Sequence, residues 1–210
     1  MEKSASTSAS QVRKKPLQAR SLATVTAILD AAAHILEALG PSAYSTNAVA
    51  ARAGASIGSV YQYFPSKDAI TRALIERESG ALLEDARRKL EHLHGEEALR
   101  ALISVAVHHQ LRRPALGRIL DYEEARLFLQ QDMAQAAEGA RGMLLRSIQE
   151  MRCAASPQSA AADVMCIIKG MVDGAGQRGE SDEAGLRDRV SAAVFGYLQL
   201  LDRANQRHRS

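Results

Sequence analysis

Apolar side chains recur every three or four residues along most of the chain, and glycine or proline punctuates the pattern. That period is the signature of helices with one buried face. From about Arg20 to Leu39, a stripe of Val25, Ile28, Leu29, Ala32, Ile35, Leu36 and Leu39 predicts a first helix, closed by Gly40-Pro41. Between Thr46 and Lys67 the spacing predicts a short helix, a tight turn and a second short helix. Thr46 suits the N-cap of the first, which has a small apolar face at Ala48, Val49 and Ala53. Gly54 supplies the left-handed position that ends it. Ser56 suits the cap of the second, in which Ile57, Val60 and Phe64 form the inward face. Pro65 forbids continuation, and Ser66 can cap a further helix that begins near Lys67. That helix is predicted to run to about His94 on Ile70, Leu74, Ile75, Leu82, Leu83, Ala86 and Leu90. Further helices are predicted at about 96–112, 114–129, 132–152, 157–177 and 182–205, with Pro114 and Pro157 in first turns, where proline is tolerated. The fold class is all-α.

Two small helices joined across a glycine form the helix-turn-helix plan, in which the second helix enters the DNA major groove. The outward residues of that second helix are Ser56, Gly58, Ser59, Tyr61, Gln62 and Tyr63, where a solvated helix would usually carry Glu and Lys. Small residues let the helix approach base edges, and Ser and Tyr hydroxyls reach bases or phosphates. Lys67 stands at a helix start, where free amides and the dipole already favour phosphate. On spacing alone, an ordinary helical hairpin with a Tyr-rich surface satisfies the same pattern.

The stretch G-A-S-I-G-S-V-Y-Q-Y-F-P-S-K, from Gly54 to Lys67, resembles the recognition-helix signature of the tetracycline-repressor (TetR) family of bacterial regulators. Val60-Tyr61, Tyr63-Phe64 and Pro65-Ser66-Lys67 stand at the matching positions, and Tyr63 occupies a place that is often His. The resemblance covers about residues 20–75. It implies a DNA-binding head over residues 16–66, followed by a helical ligand-binding and dimerisation domain over 67–210. It also implies that Thr46, Tyr63 and Lys67 hold phosphates, while Ser56, Gly58, Ser59 and Tyr61 face bases. A dimer is expected, because one short helix reads too few base pairs, whereas two related by a two-fold axis read a palindrome.

Charge agrees with this division. Residues 1–72 carry eight Lys and Arg against four acids, a net +4, and the remaining 138 residues carry a net −1. The excess falls on the part expected to meet phosphate. Residues 1–15 are Ser-rich and basic at Arg13, Lys14 and Lys15; they read as a disordered arm, either touching DNA or simply solvated. Aromatic residues are only 4% of the chain, which favours packed helices over sheets. Cys153 and Cys166 read as free thiols in a reducing compartment or, alternatively, as a redox sensor. No apolar run was expected to span a membrane, so a cytoplasmic location is expected.

In the C-terminal part, two late helices stand out. Val164, Ile168 and Met171 on one, and Val190, Val194, Tyr197 and Leu201 on the other, are candidates for a dimer interface; the same faces could instead serve the chain's own core. His108, Tyr122, Phe128, Met133 and Met165 are candidates for lining a ligand pocket. His92 and His94, or His108 and His109, do not have metal-ligand spacing, and no nucleophile or phosphate-loop motif appears, so no cofactor, metal or enzymatic activity is expected. The expected function is a homodimeric repressor released from a palindromic operator by a small molecule. The alternatives are a ligand-independent DNA-organising protein and a helical enzyme that retains a helix-turn-helix head.

Overall fold

The structure is a computed structural model that describes residues 14–127, 134–153 and 156–209. Its helices are α1 (Lys14–Leu39), α2 (Thr46–Ala53), α3 (Ile57–Tyr63), α4 (Lys67–Leu90), α5 (Gly95–Arg112), α6 (Pro114–Arg126), α7 (Ala134–Met151), α8 (Pro157–Gln177) and α9 (Glu183–Arg209). The chain is thus all-α, as its periodicity predicts. It divides into two compact units, Met1–Leu74 and Ile75–Ser210. The division falls within α4, whereas the expected boundary at 66/67 coincides with the start of that helix. Of the expected arm, residues 1–13 lie outside the described residues, and Lys14 and Lys15 already belong to α1.

In the first unit α1 packs on α2, burying Ile28, Leu29, Ala32, Ile35 and Leu36 with Val49 and Ala50. Val60, Phe64, Ile70 and Leu74 are also buried. Three details differ from the expected pattern. Leu39, in the last residue of α1, is 62% exposed, because the helix ends at Gly40 (φ +78°) before its final turn meets a neighbour. Ile57 is 39% exposed. Phe64 has already left helical geometry (φ −133°, ψ 107°), so it turns inward without carrying Ile57, in the first turn, along the same face. The third concerns the membrane: Arg20–Leu39 is long and apolar enough to cross one by length and composition, contrary to the expectation from its sequence. Its apolar side is instead the core of the first unit.

The second unit has a continuous core. Ala86 of α4, Leu99, Ile103 and Val107 of α5, Leu144 and Ile148 of α7, Val164 and Ile168 of α8, and Val190, Val194 and Leu198 of α9 pack together. Helix α6 lies against α5 and α8 and buries Leu116 and Leu120.

Candidate DNA-contact surface and ligand cavity

The turn between α2 and α3 is built by caps and one glycine. Gly54 takes the left-handed conformation (φ +64°) that a Cβ would disfavour. Ser45, not Thr46, caps α2: Ser45 Oγ accepts from the Ala48 N–H at 3.2 Å, and Thr46 is the first helical residue. This releases the Thr46 hydroxyl to approach the Tyr61 hydroxyl at 3.4 Å, a link between the two helices of the motif. Ser56 caps α3 by accepting from the Ser59 N–H at 3.0 Å, and the two serine hydroxyls lie 2.8 Å apart. Ser66 caps α4 by accepting from the Ala69 N–H at 3.1 Å.

These caps leave a small, polar surface on α3. Gly58 and Ser56 are exposed, Tyr61 is 51% exposed, and Ser59 and Tyr63 are half-buried. Lys67 is exposed with its ammonium 5.6 Å from the centre of the Tyr44 ring, within reach of a cation–π attraction. The Tyr44 hydroxyl in turn bonds Thr71 at 3.1 Å, so the ring beneath Lys67 is tethered to α4. Arg52, exposed in the last turn of α2, adds a cation that the sequence reading did not single out.

The second unit holds a cavity of about 150 Å³. Its walls come from α4 (Ile75, Glu78, Leu82), α5 (His109, Gln110), α6 (Leu116, Leu120, Asp121, Glu124) and α8 (Lys169, Asp173). Gln110 is only 8% exposed and donates from Nε2 to Asp121 Oδ2 at 3.4 Å. Two glycines make room for it. A Cβ at Gly176 would stand 2.4 Å from Gln110 Nε2, and one at Gly117 would stand 3.3 Å away.

Most charges around the cavity are paired. Glu78 meets Arg112 at 3.0 Å and Arg113 at 4.0 Å, and Lys169 meets Asp173 at 3.0 Å. Burial, and then the neighbouring Asp173 charge, hold the Asp121 carboxyl above the usual carboxylate range. The His109 imidazole is pushed down by burial and then by Arg112, which favours its neutral form. Its Nδ1 is buried without a hydrogen-bond partner among the described residues.

None of the three expected pocket residues that the structure describes lines this cavity. Tyr122 is 67% exposed, since the inward side of α6 follows Leu116, Leu120 and Glu124, and residue 122 lies on the far side of that turn. His108 is exposed and pairs with Glu183 at 3.3 Å, beside a more open hollow that also contains Arg88 and Lys89. Met165 is partly buried against the core. Phe128 and Met133 lie outside the described residues. A signal for Gln110 was present: it continues the stripe Leu99, Ile103, Val107 at the next inward position, a polar residue where the period calls for an apolar one.

The expected dimer contacts need a similar correction. Val164, Val190 and Val194 have no exposure and Ile168 has 7%, so these side chains fill the chain's own core and cannot also form an external surface. Met171, Tyr197 and Leu201 are partly buried at its edge. The Tyr197 hydroxyl donates to Asp163, joining α9 to α8; burial, and then this bond, push it up to about 12. Leu200, in the next position along the outer side of α9, is 66% exposed. Among the described residues no three His, Cys, Asp or Glu side chains gather as metal ligands do.

Residues 28–74 match the family pattern described as "Bacterial regulatory proteins, tetR family". No curated protein matches the chain by sequence. Solved structures share its fold. A TetR-family transcriptional regulator from Streptomyces coelicolor is 23% identical, with 85% of this chain and 97% of that one covered at a TM-score of 0.65. A transcriptional regulator from Pseudomonas aeruginosa is 17% identical over 91% of this chain and 96% of that one, with a TM-score of 0.68. SmeT, in a complex with triclosan, is 21% identical over 81% of this chain and 90% of its own, with a TM-score of 0.60. The family pattern covers α2, α3 and the helix-turn-helix caps described above, so residues 28–74 are similar to the DNA-binding head of tetR-family regulators, and the all-helical architecture behind them is shared with these solved structures.

Proposed function

We propose that this regulator is a homodimeric repressor that holds a palindromic operator and is released when a small molecule occupies the cavity of the second unit. The observation that carries this reading is the course of α4. It begins at Lys67, immediately after the recognition helix α3, and its later residues Ile75, Glu78 and Leu82 line the cavity. A ligand that repositions the cavity-lining turns of α4 would also move its first turn. SmeT, a protein of the same fold, forms a complex with the small molecule triclosan, which supports a similar use of the cavity here.

On this reading Thr46, Tyr63 and Lys67 hold phosphates, and Ser59, Gly58 and Tyr61 approach bases. Ser56 contributes as the cap that sets the start of α3, since its hydroxyl is already engaged. The outer sides of α8 and α9, with Met171, Tyr197, Leu200 and Leu201, pair with a second copy. Two recognition helices then meet half-sites about 34–36 Å apart or a multiple of it. A ligand with a coupling of about 1–3 kcal/mol would weaken operator binding roughly 5- to 150-fold.

Selection of bound sequences from a random duplex pool at fixed salt tests the reading. An enriched palindrome is expected, and it becomes the probe for ligand release. A pool that stays random, with binding that vanishes as salt rises, would leave only non-specific phosphate contact and overturn the operator reading.

A further inference from the structure

Lys67 stands where a cation is disfavoured. It is the first residue of α4, and the positive end of a helix dipole repels an ammonium. Its side chain is exposed, and a free lysine stem in water samples many conformers. Two contacts hold the residue at opposite ends. Its ammonium lies 5.6 Å from the centre of the Tyr44 ring, whose negative face attracts a cation. Its carbonyl accepts from the Thr71 hydroxyl at 3.1 Å.

The direction of the remaining bond follows from the donors available. A threonine has a single hydroxyl proton, and that of Thr71 goes to the Lys67 carbonyl. The Tyr44 hydroxyl, 3.1 Å from Thr71 Oγ1, is therefore the donor of their pair. Tyr44 is 7% exposed and Thr71 is fully buried, so this bond is costly to break. The backbone beneath the ring is fixed too: the Tyr44 N–H donates to the Pro41 carbonyl at 3.2 Å. Ser66 caps the turn from which Lys67 projects. The three residues thus close a loop, from ammonium to ring, from ring hydroxyl to Thr71, and from Thr71 back to the Lys67 carbonyl.

We propose that Tyr44 is a positioning residue for DNA binding, which touches no DNA itself and holds the Lys67 side chain near the conformer that meets a phosphate. Ordering a long side chain at an interface costs free energy whenever a complex forms. A lysine already confined by a fixed ring loses less freedom when DNA arrives.

The proposal deepens the reading of Lys67 as a phosphate contact and rests on it, so its test compares Tyr44 variants with and without that lysine. Binding of the full chain to a mixed-sequence duplex is measured by fluorescence anisotropy at fixed salt. The proteins are the parent, Tyr44→Leu, Tyr44→Phe, Lys67→Ala and each Tyr44 variant combined with Lys67→Ala. Tyr44→Leu is expected to weaken binding about two- to tenfold per recognition helix, the freedom of one long side chain, and to have no further effect once Lys67 is replaced. Tyr44→Phe, which keeps the ring, is expected to retain most of the affinity. A tyrosine that served only the core would weaken binding equally in both backgrounds. That result, parent-like binding by Tyr44→Leu, or a Tyr44→Phe as weak as Tyr44→Leu overturns the proposal and leaves the phosphate contact standing. If Lys67→Ala binds as the parent does, the phosphate contact fails and the positioning role with it. Circular dichroism checks that each variant is folded. Should Tyr44→Leu unfold, nuclear magnetic resonance of the parent decides: the lysine ε-methylene signal that Lys67→Ala removes is expected upfield of the other lysines, shifted by the ring, and an ordinary position overturns the proposal.

Discussion

Single residues carry much of the chemistry, and two of them give measurable consequences. Lys67 stands at the first residue of α4 with its ammonium over Tyr44 and its charge open to solvent. If it meets a phosphate, Lys67→Ala weakens binding to all duplexes alike. The slope of log affinity against log salt then becomes shallower by about one per recognition helix. An unchanged slope would remove Lys67 from the contact. Asp121 is the second case. Its carboxyl is held above the usual range by burial, then by Asp173, while Lys169 of α8 and the Gln110 amide of α5 oppose the shift and Glu124 of its own helix adds to it. The folded state thus binds this proton more tightly than the unfolded chain. Its stabilising contribution is complete below the unfolded value of about 3.9 and is lost as pH rises through the folded one. Asp121→Asn, which cannot ionise, should therefore have a higher urea midpoint than the parent at pH 7, with the gap closing towards pH 4. A variant less stable at pH 7 would show that the charge is better compensated than the geometry indicates.

At the scale of elements, the helix-turn-helix was legible in detail because its signals are local. Gly54 ends α2, Ser56 caps α3 and Pro65-Ser66 separate α3 from α4, each through backbone geometry within a few residues. The one misplaced cap shows the limit of such signals. Ser45 and Thr46 are both good caps, and the choice fell to Ser45 because its backbone is extended (φ −143°, ψ 159°) while that of Thr46 is already helical. Contacts between helices of distant sequence were not legible. Gln110 of α5 reaches Gly117 of α6 and Gly176 of α8, and nothing local announces that a glycine in α8 serves a glutamine sixty-six positions earlier. Gly176→Ala should displace the Gln110 amide and cost about 1–3 kcal/mol in chemical denaturation, the usual penalty of overpacking. Adding Gln110→Ala should recover most of that loss, and a double variant no more stable than Gly176→Ala alone would argue against this pairing.

For the molecule as a whole, the proposed dimer raises the question of which surface would join two copies. The strongest apolar stripes of α8 and α9 are internal, with Val164, Val190 and Val194 fully buried, so the surface left for a partner is the neighbouring side of each helix. Leu200, at 66% exposed, is its largest open apolar group on α9. If this side pairs, Leu200→Glu should shift sedimentation from dimer towards monomer and weaken binding to a palindromic duplex more than to a single half-site. A variant that sediments as the parent does would place the contact elsewhere.

The sequence by itself determined the helical class, the position of nearly every helix and the recognition motif, because periodicity, caps and breakers act over one or two turns of backbone. Tertiary structure decided which apolar faces became core, which charged groups were gathered at one cavity, and where that cavity opened. Those properties depend on the rotation and packing of whole helices against one another. Tyr122 and Gln110 mark the difference: an aromatic residue suited to a pocket lies in solvent, while a glutamine within an apolar stripe is held at the cavity wall by two glycines from other helices.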